Sequence, residues 1–232
     1  LFDRNNENSD VYRLNARQSD TAGADVFAAA KKAIEISRET DGAFDFTVTP
    51  VMDLWGFYDC NYRVPQTEEI KNALKTVNYR NVYINGDKIQ ITGNSGLDFG
   101  GIAKGYIADQ LKEYLKEQNI SHALINLGGN VLALGGKPDG SDYNIGIQKP
   151  FAQNGEAITS VKIKDQSVVS SGIYERYFKV GDKIYHHILD PKTGYPYENN
   201  LLGVSIVCDS STEADALSTT CFAMGLDDGL KY

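Results

Sequence analysis

Asp215 and Thr219 stand four residues apart in the stretch STEADALSTTCFAMG. Four residues is about one helical turn, so a helix here puts a carboxylate and a hydroxyl on one face. Both are hard oxygen donors, which suit Mg²⁺ or Ca²⁺ rather than zinc. The plainer alternative is an exposed helix start, with Ser211 or Thr212 as N-cap and Asp215 favoured by the helix dipole.

Other segments carry chemistry of their own. LDFGGIAKG sets two glycines between a short strand and a helix, with Lys104 in the first helical turn. Free N–H groups at a helix start beside one Lys make a fair phosphate site. The spacing is neither a Walker A loop nor the dinucleotide fingerprint, and a tight turn with a solvated Lys is the alternative. HHILDPKTGYP places His186 and His187 side by side on a strand, so their rings face opposite ways. A His of near-neutral pKa is a natural general base, though a strand-end His held by a turn Asp190 accounts for the same pattern. TDGAFDFTVTPVMDLWGF surrounds Asp45 with Phe44, Phe46, Trp55 and Phe57. Such a run either lines a pocket for a planar ring or forms core.

These groups need a scaffold, and 232 residues are ample for one large domain or two small lobes. Hydrophobic content of 41% and charged content of 23% describe an ordinary globular chain. A net charge of -8 and a pI of about 4.9 argue against a nucleic-acid-coating surface. Three cysteines, Cys60, Cys208 and Cys221, make neither a disulfide framework nor a zinc ribbon. Cys208 and Cys221 read as buried small hydrophobes. The sequence starts at Leu1 without an initiator Met, and any signal peptide or lipid-anchor cysteine is expected in a segment before it.

The pattern predicts helices over ADVFAAAKKAIEISRET, over TEEIKNALKTV with Thr67 as cap, after GGIAKG, and around Asp215. Hairpins are predicted around Asn85-Gly86-Asp87, Gly128-Gly129 and Gly181-Asp182. Strands outnumber helices, and hairpins mix with strand-to-helix units. The fold class is therefore α+β, with mixed, largely antiparallel sheets and flanking helices.

Taken together, TDGAFDFTVTPVMDLWGF, LDFGGIAKGYIAD, INLGGN, SSGIYERYF, HHILDPKTGYP and ADALSTT resemble, in order, the motifs of ApbE-type FAD:protein FMN transferases. The resemblance implies a single domain over 1–232 with trimmed ends and a flavin-binding cleft between two lobes. It implies a Mg²⁺-dependent enzyme that moves the FMN half of FAD onto a Ser or Thr hydroxyl of a target protein and releases AMP. Asp215, Thr219 and the carbonyl of Gly101 would hold the metal, with Ser218 contributing. Ala43, Phe44, Asp45, Asp98, Lys104 and Leu189 would contact FAD, and His187 would be catalytic. An aromatic that many members carry near the start has Phe2 as its nearest equivalent here. The acceptor would be a flavoprotein such as an electron-transfer subunit. The location would be outside the cytoplasmic membrane, lipid-anchored in the full-length protein. Two alternatives stay open: an FAD pyrophosphatase giving FMN and AMP, and a non-catalytic flavin-binding lipoprotein.

Overall fold

The computed structural model describes residues 1–152 and 155–232. Along the chain run α1 (Asp10–Asn15), α2 (Ala24–Glu39), α3 (Thr49–Trp55), α4 (Thr67–Leu74), β1 (Val82–Asn85), β2 (Lys88–Ile91), α5 (Ala103–Glu117), β3 (Ala123–Leu127), β4 (Asn130–Leu134), β5 (Tyr143–Gln148), β6 (Ala157–Ile163), β7 (Ser167–Gly172), β8 (Tyr177–Val180), β9 (Lys183–His186), β10 (Gly203–Cys208) and α6 (Ser211–Lys231). They make two compact units. The first comprises Leu1–Gly100 and Arg176–Glu198, the second Gly101–Glu175 and Asn199–Tyr232. Ladders between the named strands are antiparallel, in keeping with the α+β class.

In the first unit, α2 buries Val26, Ala29, Ala30, Ala33 and Ile34, the stripe that a 3.6-residue period dictates. The aromatic segment contains a helix that its short length and internal proline hide from periodicity. This is α3, which admits Pro50 in its first turn and stops at Gly56, whose φ is 71°. A side chain at 56 would also run into the carbonyl of Asn61.

Helix α3 supplies Val51, Met52 and Trp55 to a core completed by Phe57, Ile70 and Leu189. The Trp55 indole N–H donates to the Gly194 carbonyl at 2.8 Å, so even its polar atom is satisfied. Of the two readings of the aromatic run, core is the outcome for Phe44, Phe46, Trp55 and Phe57, all at most 5% exposed. Two other expectations are corrected. The cap of α4 is Gln66, not Thr67, and Gln66 N–H donates to Glu69 at 2.8 Å. The Leu97-Asp98-Phe99 segment is not a strand; Gly96 makes an isolated parallel bridge to Val48, and Asp98 N–H donates to the Phe46 carbonyl at 2.7 Å.

The second unit is a four-stranded sheet in the order β10-β7-β4-β3, with α5 and α6 packed on it and on each other. β5 and β6 form a separate hairpin whose Ile145 and Ile163 pack with Ala133 and Val168. β7 is an interior strand, which is why Ser167, Val168 and Val169 are all buried. Gly105 lies where α5 meets the start of α6. A Cβ there would collide with the Ser211 carbonyl, so only glycine lets the two backbones come this close. α6 is broken at Gly225, whose φ is 79°. The cysteines are free: Cys60 is exposed, and Cys208 and Cys221 are half-buried rather than fully buried.

Candidate active site

In the second unit, helices α5 and α6 cap each other. Asp109, one turn beyond Gly105, receives the N–H groups of Ser211 and Thr212, each at 2.9 Å. It also accepts from the Thr212 hydroxyl at 2.6 Å and the Ser210 hydroxyl at 3.1 Å. Ser210 is the N-cap of α6 and accepts from Glu213 N–H, so neither Ser211 nor Thr212 is the cap. In return, Asp215 of α6 accepts from Gly105 N–H at 2.9 Å, at the start of α5. The orphan donors of each helix start are thus met by an acid of the other.

Asp215 is only 3% exposed, which rules out the exposed-helix-start reading. Burial pushes its carboxyl up from the ordinary carboxylate range. The charge of Lys104 and the backbone N–H groups of Gly105 and Lys104 oppose that push in part. One turn on, Ser218 donates its hydroxyl to the Asp215 carbonyl at 2.8 Å. Ser171 of β7 lies 2.7 Å from the Ser218 hydroxyl and 3.2 Å from that of Thr219. Ser218 is fully buried, whereas Thr219 is half-buried. Gly101 immediately precedes Ile102, the residue at the N-cap of α5, and Lys104 stands in its first turn.

This donor set fits Mg²⁺. It offers one buried carboxylate and a hydroxyl one helical turn away. Mg²⁺ is commonly held by one or two carboxylates, with water and substrate phosphates completing the octahedron. Among the described residues there is no group of three or more His, Cys, Asp or Glu that could hold a metal ion.

In the first unit, His186 and His187 have the contrasting surroundings that strand alternation predicts. His186 is buried, and its Nε2 lies 3.0 Å from the Tyr197 carbonyl. A carbonyl only accepts, so that nitrogen carries the proton. His187 is half-buried just past the end of β9, with its ring edge-on to Phe57. Its Nδ1 lies 3.2 Å from the Arg176 carbonyl, which also accepts the His187 N–H at 3.1 Å. By the same argument Nδ1 carries a proton, and in the neutral ring the lone pair sits on Nε2. Asp190 accepts from Lys192 N–H at 2.8 Å in the following turn and is hydrogen-bonded to the Tyr197 hydroxyl.

The remaining expected FAD contacts have structural tasks as well. Asp45 accepts from Thr47 N–H at 2.8 Å, the Thr47 hydroxyl at 2.7 Å and Tyr79 N–H at 3.0 Å, which pins its loop. Ala43 beside it is half-buried and Phe44 buried. Asp98 accepts from Gly100 N–H at 2.7 Å. Leu189 gives its side chain to the core around Trp55. Sequence reasoning passed over Arg4 and Asp109. Arg4 has a largely buried side chain, pairs with Asp53, lies 3.9 Å from Asp98 and sits 3.8 Å over the Tyr58 ring. Phe2 packs against Phe99 with ring centroids 5.6 Å apart.

Burial lowers the His186 pKa from its ordinary value of 6.5. The folded state therefore resists its protonation. The stability it contributes is present above 6.5 and is lost as pH falls toward the lowered value. Denaturant unfolding between about pH 7.5 and 5 is expected to show that decline. His186→Gln keeps a donor for Tyr197 and should flatten the slope. An unchanged slope in that variant would exclude His186 as its source.

A profile of the ApbE family matches the chain over residues 1–232. An FAD:protein FMN transferase of Klebsiella pneumoniae is 37% identical over 223 residues, which are 95% of this chain and 69% of that protein. One of the same name from Treponema pallidum is 32% identical over 246 residues, 98% of this chain and 68% of that protein. Among solved structures, the ApbE protein of Thermotoga maritima aligns with a TM-score of 0.92 at 36% identity, covering 99% of this chain and 76% of that one. The flavin transferase ApbE of Vibrio cholerae gives 0.86 at 28%, covering 99% and 75%. The order of motifs, the α+β architecture and these matches agree: the chain belongs to the ApbE family.

Proposed function

We propose that this chain is a Mg²⁺-dependent FAD:protein FMN transferase. The observation that carries the proposal is its 37% identity, over 95% of its length, to a relative of that name. The buried Asp215 beside the Thr219 hydroxyl supports the metal part, and the anchored ring of His187 supports the acid–base part.

In this reading the hydroxyl oxygen of an acceptor Ser or Thr attacks the phosphorus on the FMN side of FAD. A new P–O ester bond forms, the bond to the AMP phosphate breaks, and AMP leaves. Nε2 of His187 takes the hydroxyl proton. Lys104, in the first turn of α5, offers a positive charge and a helix start to a phosphate. Asp98 and the Ala43-Phe44-Asp45 strip are assigned to FAD contact, with Leu189 backing the loop after His187. Asp215, Thr219 and the Gly101 carbonyl would hold Mg²⁺, with Ser218 beside them. When bound, the metal neutralises charge on the pyrophosphate oxygens. We further propose an electron-transfer flavoprotein as acceptor and a lipid-anchored location outside the cytoplasmic membrane.

The test is incubation of the chain with FAD, Mg²⁺ and a candidate acceptor, read by intact mass spectrometry and AMP release. Covalent FMN on the acceptor with equimolar AMP is expected. AMP and free FMN in equal amounts with or without acceptor would identify a pyrophosphatase instead. No turnover of FAD under either condition would leave a flavin-binding protein.

A further inference from the structure

The motif SSGIYERYF contributes a residue that the proposed chemistry does not use. Ser170 and Ser171 are adjacent on β7, so they face opposite sides of the sheet. Ser170 pairs with Ser205 on β10 at 2.7 Å. Ser171 instead meets α6, touching both Ser218 and Thr219.

Each hydroxyl has one proton to give. The Ser218 proton is committed, because its partner at 2.8 Å is the Asp215 carbonyl, which only accepts. The 2.7 Å contact between Ser171 and Ser218 must then use the Ser171 proton. The 3.2 Å contact between Thr219 and Ser171 must use the Thr219 proton. One direction satisfies all three bonds: Thr219 to Ser171 to Ser218 to the Asp215 carbonyl. The chain ends on the carbonyl of the residue whose carboxylate is the candidate metal ligand. Its consequence falls on Thr219, the half-buried member. With its proton turned inward, Thr219 Oγ1 shows only lone pairs on its other side.

We propose that Ser171 is a positioning residue that orients the Thr219 hydroxyl so that it can only accept, as a ligand to a hard divalent cation must. The proposal rests on the reading of Asp215 and Thr219 as the Mg²⁺ site. Without Ser171, the Thr219 proton is free to rotate toward the cation, and the hydroxyl loses its fixed dipole. Partners of this outer kind are typically worth about 10–100-fold in metal affinity.

The experiment titrates Mn²⁺ into the whole chain at saturating FAD, with free Mn²⁺ read by electron paramagnetic resonance. Ser171→Ala should raise the Mn²⁺ Kd by about 10–100-fold, and Ser171→Thr, which keeps the hydroxyl, should restore binding. Ser171→Cys, close in volume but a feeble donor, should behave like alanine and covers any disturbance of β7. Because Ser171 acts through Thr219, Ser171→Ala should add nothing to the loss caused by Thr219→Val. Unchanged affinity in Ser171→Ala and Ser171→Cys while Thr219→Val weakens binding would overturn the positioning role. Additive losses in the double variant would overturn it as well. Unchanged affinity in both Thr219→Val and Asp215→Asn would instead remove the metal site beneath it.

Discussion

Replacing His187 with alanine is expected to slow FMN transfer by about 10²–10⁴-fold, the usual worth of a positioned general base. The affinity for FAD should change little. A Ser or Thr hydroxyl is a poor nucleophile until its proton is taken, and the structure prepares His187 for that task. The Arg176 carbonyl holds Nδ1 in its protonated form, so in the neutral ring the lone pair belongs to Nε2. The backbone N–H of His187 bonds the same carbonyl, and Phe57 meets the ring edge-on, so the imidazole is held on two sides. Single-turnover transfer at saturating FAD, paired with a fluorescence titration of FAD, separates the two effects. A loss under about threefold would mean that no base is needed at this step. An equal loss in FAD affinity would move His187 from proton transfer to binding. Alanine at 186 is an unsuitable control because that ring is buried, so His186→Gln serves instead and should transfer at nearly the parental rate.

The elements that sequence periodicity captured are those whose signal is local. α2 has a long apolar stripe, and the three hairpins carry Gly-containing turns between alternating runs. α3 escaped because seven residues give fewer than two turns of pattern and Pro50 reads as a breaker, although a first turn tolerates it. The caps of α4 and α6 fell earlier than the expected Thr67 and Ser211 or Thr212, at Gln66 and Ser210, because the best capping oxygen is chosen by geometry and not by residue type alone. In the candidate site, residue types were legible but their surroundings were not. Asp215 looked like an ordinary first-turn acid. The N–H it accepts from belongs to Gly105 of α5, 110 residues earlier in the chain. Asp109 showed no signal at all, since its four acceptor contacts exist only once α5 and α6 are side by side. Ser171 was one of three serines in β7, and only the register of the strand decides that it, and not the adjacent Ser170, faces α6.

Asp215→Asn is expected to abolish transfer at ordinary Mg²⁺, by roughly 10³-fold or more, because several kcal/mol of charge stabilisation depend on the ion. Asparagine rather than alanine isolates the charge. It keeps the volume and an oxygen for Gly105 N–H, so the capping of α5 survives. The stability readout makes the assignment specific. Burial raises the Asp215 pKa in the metal-free fold, which means that the ionised form is disfavoured there. Its stabilising contribution is full below the unfolded value of 3.8 and is lost as pH rises through the raised one. At neutral pH the metal-free variant should therefore be at least as stable as the parent. Added Mg²⁺ should reverse the order. A ligand that binds only the native state stabilises it in proportion to the logarithm of one plus the ratio of free ligand to Kd, so the parent Tm should climb with Mg²⁺ and the variant Tm should stay flat. The neighbouring acid provides the contrast. Asp109→Asn removes a charge that serves only the start of α6, so it should cost about 1–2 kcal/mol of stability while the Mg²⁺-dependent rise in Tm persists. Equal Mg²⁺-dependent rises in the parent and Asp215→Asn would show that the ion binds elsewhere. A less stable metal-free Asp215→Asn would show that the carboxylate is retained for the fold and not for the ion.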